Sequence, residues 1–275
     1  MRERLYNIIC VALVAVACVA VSTPLRAADN KTTARANWKT GIEAYNAKEY
    51  AQAVEAFETV VASDYASAEV YYNLANAYFK LGQQATSSRP FAGGELGRAV
   101  LNYERALKLD PTLDDARYNL DIAKDYTNDT EAVPESFIVR LWRSMAGAMT
   151  TNGWAVLSIV MFGVALVSLM VYLLNGNIVV RKVAFFLSLV VVVVFALSTA
   201  LSLTQLRAAE VDNRAVVLAS DTTPVHASPD SASKIIREPS QGVTVEVERK
   251  QGDWSEVRFA DGEKGWVRSA NVEII

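Results

Sequence analysis

Residues 71–82 read YYNLANAYFKLG, and residues 99–111 read AVLNYERALKLDP. Apolar side chains recur in the first stretch at intervals of three and four, for example at Leu74, Ala77 and Leu81, which lie on one face of a helix. The second stretch ends in an Asp-Pro pair, and proline cannot continue a helix. The two stretches therefore predict a pair of helices that pack together as a hairpin.

The same pattern recurs along the chain. Gly41 precedes Ala75 by 34 positions, KEYAQAVEAF at residues 48–57 fits the second helix of a preceding unit, and residues 116–126 repeat the first-helix pattern. A unit of this kind buries its apolar face only against its neighbours. We therefore expect residues 34–127 to form about two and a half helical units, with a fifth helix that caps the stack.

These units resemble the tetratricopeptide repeat family, in which small residues lie where two helices touch, aromatic residues fill the gaps and a proline ends the second helix. The resemblance implies that a partner binds the concave side, which the first helix of each unit forms. Aromatic rings supply contact area there, and amides satisfy the backbone groups of a bound peptide or helix. The positions carried over, here called the repeat groove, are Arg35, Trp38, Ile42, Glu69, Tyr72, Asn73, Asn76, Asp115, Tyr118 and Asn119. For Trp38, Tyr72 and Tyr118, packing between helices remains an open alternative.

Residues 83–97 lengthen the turn between the two helices of the second unit by about a dozen residues beyond the turn of that family. Glycine, proline and serine in this insertion predict a loop. Two interpretations are open: a surface excursion, or a contact with a partner through Arg89 and Phe91.

Residues 1–28 have a basic start, an apolar middle and a small-residue end, which is the organisation of a secretory signal peptide. We expect cleavage near Ala27 or Ala28. Both cysteines, Cys10 and Cys18, precede this point, so the mature chain would lack disulfides and catalytic thiols. A lipoprotein acylated at Cys18 and a retained signal anchor are the alternatives.

Residues 144–180 and 183–206 contain no charged side chain, and a membrane helix needs about 20 apolar residues. We expect membrane spans at 154–174 and 183–203, joined by a short turn at 175–182. A wholly soluble protein is thereby excluded. Since neither span contains an ionisable residue, transport or proton relay is not expected.

The flanking charges bear on which side of the membrane each part lies. Residues 128–152 are expected to form a linker and an amphipathic helix at the membrane interface, with Arg140 and Arg143 among apolar residues. Arg181 and Lys182 favour a cytoplasmic turn, although arginines also flank the outer ends of the spans. The signal peptide decides for export, so both soluble parts are expected together on the outer side of the membrane.

The tail, residues 213–275, has the period-two alternation of strands, and Asp-Gly at 261–262 is a hairpin signal. Five short strands are expected. The segment resembles bacterial SH3-like domains, whose first tryptophan and glycine–tryptophan pair match Trp254, Gly265 and Trp266. Some members of that family bind cell-wall peptide and others mediate protein contacts, so both packing and ligand binding are open for the two tryptophans.

The predicted fold class is therefore multidomain: all-α tetratricopeptide repeats, a two-helix transmembrane hairpin and a C-terminal all-β SH3-like barrel. The single histidine, His226, is expected in a solvated loop and cannot form a metal site alone. The chain has 27 basic and 30 acidic residues and no basic block, which argues against nucleic-acid binding. Because nucleophile–base pairs, phosphate loops and ligand clusters are missing from the sequence, no enzyme activity, catalytic site, cofactor or metal is predicted.

The order of these parts resembles BatE-like proteins of the Bacteroides aerotolerance (Bat) system. The resemblance implies an inner-membrane scaffold beside membrane-anchored von Willebrand A-type proteins and, indirectly, a MoxR-type ATPase, with a role in stress tolerance or envelope assembly. The alternative is a cell-wall sensing module whose SH3-like domain binds peptidoglycan.

Overall fold

The computed structural model describes residues 26–63, 65–84, 90–127, 136–210, 213–219 and 222–275. Residues 1–25 of the predicted signal peptide and Arg89 of the insertion lie outside this part of the chain. The chain divides into two compact units between Ala66 and Ser67.

The first unit contains helix α1 (Arg26–Asn46) and helix α2 (Tyr50–Val61), which pack against each other. A Cβ atom added to Gly41 would lie 2.5 Å from the ring of Phe57, so only glycine lets the two helices approach this closely. The ring of Trp38 also packs on Phe57, with 5.5 Å between the ring centroids. This is the helical hairpin that the sequence predicts.

The second unit begins with helices α3 (Ala68–Gln84), α4 (Glu95–Leu109) and α5 (Asp114–Lys124). The contact between α3 and α4 is made by small residues, since Ala75, Ala77 and Ala99 are fully buried. Helix α5 packs on α4 in turn through the buried Ala116 and Leu120. The alternation of small and large apolar residues in the sequence thus produces close-packed helices.

Three further helices follow: α6 (Phe137–Ala146), α7 (Thr151–Leu174) and α8 (Ile178–Glu210). Helices α7 and α8 pack side by side, and both are long and apolar enough to cross a membrane. The buried hydroxyl of Ser168 donates a hydrogen bond of 2.8 Å to the carbonyl of Ala184 and so ties the two helices together.

The connection between the two apolar helices is shorter than predicted. It comprises only Asn175–Asn177, because the side chain of Asn177 accepts a hydrogen bond from the backbone N–H of Val179 and starts α8 there. Arg181 and Lys182, which we expected in the turn, therefore lie in the first turns of α8.

The C-terminal part is an antiparallel sheet of seven strands in its described residues, in the order β3-β2-β6-β5-β4-β1-β7. Its core is a cluster of valines that includes Val217, Val245, Val257 and Val267. The strands are β1 (Arg214–Val217), β2 (Val225–His226), β3 (Ile235–Arg237), β4 (Thr244–Gln251), β5 (Trp254–Arg258), β6 (Lys264–Arg268) and β7 (Val272–Ile274). With these helices and this sheet, the predicted fold class is confirmed.

Two details of the sheet correct the sequence analysis. We expected five strands, but β2 and β3 have only two and three residues, too few to produce an alternating pattern. The expectation that His226 lies in a solvated loop is wrong: it is 7% exposed and pairs with Trp266 across the β2–β6 ladder. Its Nδ1 atom lies 3.1 Å from the carbonyl oxygen of Ser233, which satisfies the buried ring.

Candidate partner-binding surface

Four polar side chains from three helices meet on the repeat groove of the second unit. The Tyr103 hydroxyl on α4 donates a hydrogen bond of 2.6 Å to Oδ1 of Asn76 on α3. The Asn119 amide on α5 donates to the same oxygen at 2.9 Å and approaches the Tyr72 hydroxyl at 3.4 Å. We call Tyr72, Asn76, Tyr103 and Asn119 the amide cluster. Because these bonds join α3, α4 and α5, the cluster fixes the three helices relative to one another.

Tyr103 was missed by the sequence analysis. It lies on the second helix of its unit, whereas the positions carried over from the family lie on first helices. Its side chain is 1% exposed, and its ring lies 6.2 Å from that of Tyr72. An aromatic residue with a hydroxyl among small helix residues was the available signal, since a buried tyrosine needs a hydrogen-bond partner.

The other groove positions of the second unit are more exposed. Tyr118 is 68% exposed, and Glu69 and Asp115 are also exposed. Asn73 is half-buried, and its amide donates a hydrogen bond of 2.8 Å to the carbonyl of Glu69 one turn earlier on the same helix. Tyr118 is therefore more exposed than Tyr72, the other aromatic residue among the groove positions of this unit.

The groove positions of the first unit lie on α1. Arg35 is exposed, while Trp38 and Ile42 are half-buried. Since Trp38 packs on Phe57, its ring has a role in joining α1 to α2, as the packing alternative requires.

The insertion does not present Phe91 to a partner, so that interpretation is wrong for this residue. Phe91 is 3% exposed and packs against Phe79 and Tyr126, with ring centroids 5.4 and 5.2 Å apart. Its ring also occupies the space beside Gly82, where a Cβ atom would collide with it. The insertion folds back because this apolar ring fills a gap between helices.

Trp254 and Trp266 of the sheet are 8% and 5% exposed. The guanidinium of Arg268 lies 4.4 Å from the ring centroid of Trp254, and that of Arg249 lies 5.1 Å from Trp266. A Cβ atom at Gly265 would collide with Val225, so this glycine lets β2 approach β6. The three characteristic residues thus have packing roles, and cations cover the tryptophan rings.

Glu104, next to Tyr103 in sequence, is a buried acidic residue. Burial would raise its pKa, but Lys124 and Arg214, at 2.8 and 2.9 Å, outweigh that effect, so the pKa of Glu104 lies below its usual value. The carboxylate stays ionised and links α4, α5 and β1. Within the described residues, no group of three or more His, Cys, Asp or Glu could hold a metal ion.

Comparison with known families fits this geometry. Residues 221–273 match the family model of the bacterial SH3 domain. Residues 68–88, which contain α3, match the family model of the tetratricopeptide repeat. No curated protein matches the chain. Both matched families are typically non-catalytic interaction modules, so interaction with protein partners or with peptidoglycan is the function class they suggest.

Proposed function

We propose that this protein is a bacterial inner-membrane scaffold that presents the repeat groove and the SH3-like domain to the periplasm and recruits envelope proteins. The observation that carries the proposal is the exposed Tyr118 ring on the same groove as an amide cluster whose bonds are already formed. A preformed surface loses little conformational entropy when it binds. An extended peptide or a helix of a partner fits a surface of aromatic rings and amides.

The membrane hairpin supports the placement of both soluble parts on one side. Near the end of α8, the Gln205 amide donates a hydrogen bond of 3.0 Å to the carbonyl of Met149, just before α7 begins. Thr151 at the start of α7 donates to Gln205 at 2.9 Å. The chain therefore enters the first span and leaves the second at the same end of the hairpin.

Helix α6 supports a membrane interface at that end. Phe137 and Ile138 are 71% and 77% exposed, and arginines lie on the same short helix. The indole N–H of Trp154 donates a hydrogen bond of 3.0 Å to the carbonyl of Ala146, which ties α6 to the first span. Apolar rings, arginines and a tryptophan are typical of the boundary between lipid and water.

The setting we propose is a Bat-type complex for envelope assembly or stress tolerance, with von Willebrand A-type membrane proteins as partners. Experimentally, a photo-crosslinking amino acid replaces Tyr118 in the full chain, expressed in its native membrane. The matched control replaces Leu109, which is 54% exposed and lies on the second helix of its unit. We expect a discrete protein adduct from position 118 and none from position 109. Equal adducts from both positions, or none from 118, would contradict the groove as the binding surface.

Peptidoglycan binding is the second candidate, and the match to the bacterial SH3 family favours it. Co-sedimentation of the detergent-solubilised full chain with purified sacculi distinguishes peptidoglycan binding from the recruitment of proteins. A protein-recruiting scaffold stays in the supernatant, because cations and neighbouring strands cover Trp254 and Trp266. Sedimentation that is lost when Arg268 is changed to Ala would favour the wall-sensing function instead.

A further inference from the structure

The third repeat unit stops after its first helix. In repeat arrays, each helix pair relies on its neighbour to cover its apolar face. A complete third unit would add a second helix after α5, but the next described helix, α6, packs on the membrane hairpin instead. Helix α4 and helix α5 thus need another element beside them.

The SH3-like domain supplies that element through β1 and the turn before β4. A Cβ atom at Gly97 on α4 would lie 2.6 Å from the carbonyl oxygen of Val217, so backbone meets backbone there. A Cβ atom at Gly242 would lie 3.4 and 3.5 Å from side-chain carbons of Val100 and Leu96 on α4. Leu96, Gly97 and Val100 are all buried.

The side chain of Gln241 joins the two parts by hydrogen bonds. The backbone N–H of Gly97 lies in the first turn of α4, where no carbonyl of the same helix can accept it. Oε1 of Gln241 accepts this N–H at 3.2 Å, and Nε2 of Gln241 donates to the carbonyl of Phe91. Gln241 is 9% exposed, so water does not replace these bonds easily.

Charged groups extend the contact along α4. Glu104 bridges Arg214 of β1 and Lys124 of α5. Arg105 pairs with Glu273 of β7 at 2.7 Å and donates to the carbonyl of Ile274 at 2.8 Å.

From these contacts we infer that the SH3-like domain takes the place of the missing second helix of the third unit and is an integral cap of the repeat stack. Tyr103 faces the amide cluster while its neighbour Glu104 faces β1, so the cap holds α4 and α5 in the positions that form the groove. The docking face of the sheet, formed by Arg214, Gln241 and Glu273, is therefore occupied by the protein's own helix. An external ligand of the SH3-like domain must use another face.

The test cuts the chain between α8 and β1. A protease site replaces residues 211–212 of the full chain, and an affinity tag is placed in the Asn175–Asn177 connection. After purification in detergent and cleavage, the fragment from residue 213 onward has no membrane span, so only docking retains it on the tagged part. We expect retention near one to one. Release of the fragment from the otherwise unchanged protein would overturn the inference.

Variants identify the face that retains the fragment. Gln241→Glu combined with Arg105→Glu should lower retention about tenfold or more, because one new carboxylate would face the Phe91 carbonyl and the other would face the carboxylate of Glu273. Arg249→Glu, an exposed change elsewhere on the sheet, is the matched control. The fragment with this change should be retained as well as the unchanged fragment. Adding Glu273→Arg to Arg105→Glu exchanges the charges and should restore at least about half of the retention lost by Arg105→Glu alone. Equal release of interface and control variants would contradict the proposed face.

Discussion

Two sets of aromatic side chains in this molecule differ in what covers them. Tyr118 on the repeats is 68% exposed, and Tyr72 is half-buried at the edge of the amide cluster. Trp254 and Trp266 in the sheet lie under arginines and are less than a tenth exposed. Strand pairing and cations cover the rings in the sheet, whereas the Tyr118 ring on α5 remains exposed. The difference supports our proposal that the repeats bind the partner, while the two tryptophans pack within the sheet.

The largest expected effect is on the stability of the sheet. Trp266→Ala removes a buried indole and should lower the free energy of unfolding of the SH3-like domain by about 3–5 kcal/mol. Tyr118→Ala, the matched change at the exposed ring, should alter stability by less than about 0.5 kcal/mol. Hydrogen exchange in the solubilised chain measures both changes, in strand peptides for Trp266→Ala and in α4 and α5 peptides for Tyr118→Ala. If Trp266→Ala lowered the free energy of unfolding as little as Tyr118→Ala does, the tryptophans of the sheet would not differ from the aromatic rings of the repeats in their role.

The ion pairs of Glu104 make the stability of the fold depend on pH. Its pKa is lowered in the folded protein by Lys124 and Arg214, so the ionised carboxylate stabilises the fold at neutral pH. That stabilisation is present above the unfolded pKa and is lost as the pH falls below about 4.3 towards the folded value. Glu104→Gln should lower the free energy of unfolding at neutral pH by about 1.5–3 kcal/mol. In this variant, the hydrogen-exchange protection of α4 should depend less on pH in the acidic range.

The amide cluster itself gives a smaller effect. Asn76→Ala removes the oxygen that accepts from both the Tyr103 hydroxyl and the Asn119 amide, and should cost about 1–3 kcal/mol. Asn73→Ala is the control, because its amide bonds only to a carbonyl of its own helix and is half-buried. Hydrogen-exchange protection of the backbone amides in α3 and α4 compares the two variants. Equal losses would mean that the amide cluster does not order the groove.

The smallest effect concerns the cation over the second tryptophan. Arg249→Ala removes a guanidinium 5.1 Å from the ring of Trp266 and an ion pair with Glu256, and should change the stability of the sheet least of these substitutions, because solvent screens the exposed pair. Strand pairing still covers the ring, so sedimentation with sacculi should not increase. A gain in sedimentation would indicate a ligand surface that the arginine shields.

The helices and the sheet could be predicted because their signals are local. The face formed by Leu74, Ala77 and Leu81 follows from spacing alone, and the period-two alternation of the tail with Asp-Gly at 261–262 predicted the strands. Gln241 and Gly97 are 144 positions apart, and no periodicity connects them. Phe91 and His226 were misjudged for a related reason: flanking glycine, proline and serine indicate a loop but not which side chain the loop buries.

The central claim, that the repeats and the SH3-like domain lie together outside the inner membrane, has a direct test. Cys10 and Cys18 are replaced by serine, and single cysteines are introduced at Tyr118, Asp261 or Gly176, all exposed. A membrane-impermeant maleimide is then applied to cells whose outer membrane alone has been opened. Labelling at positions 118 and 261 but not at 176 is the predicted result. Labelling at 176 with protection of the other two positions would contradict the account.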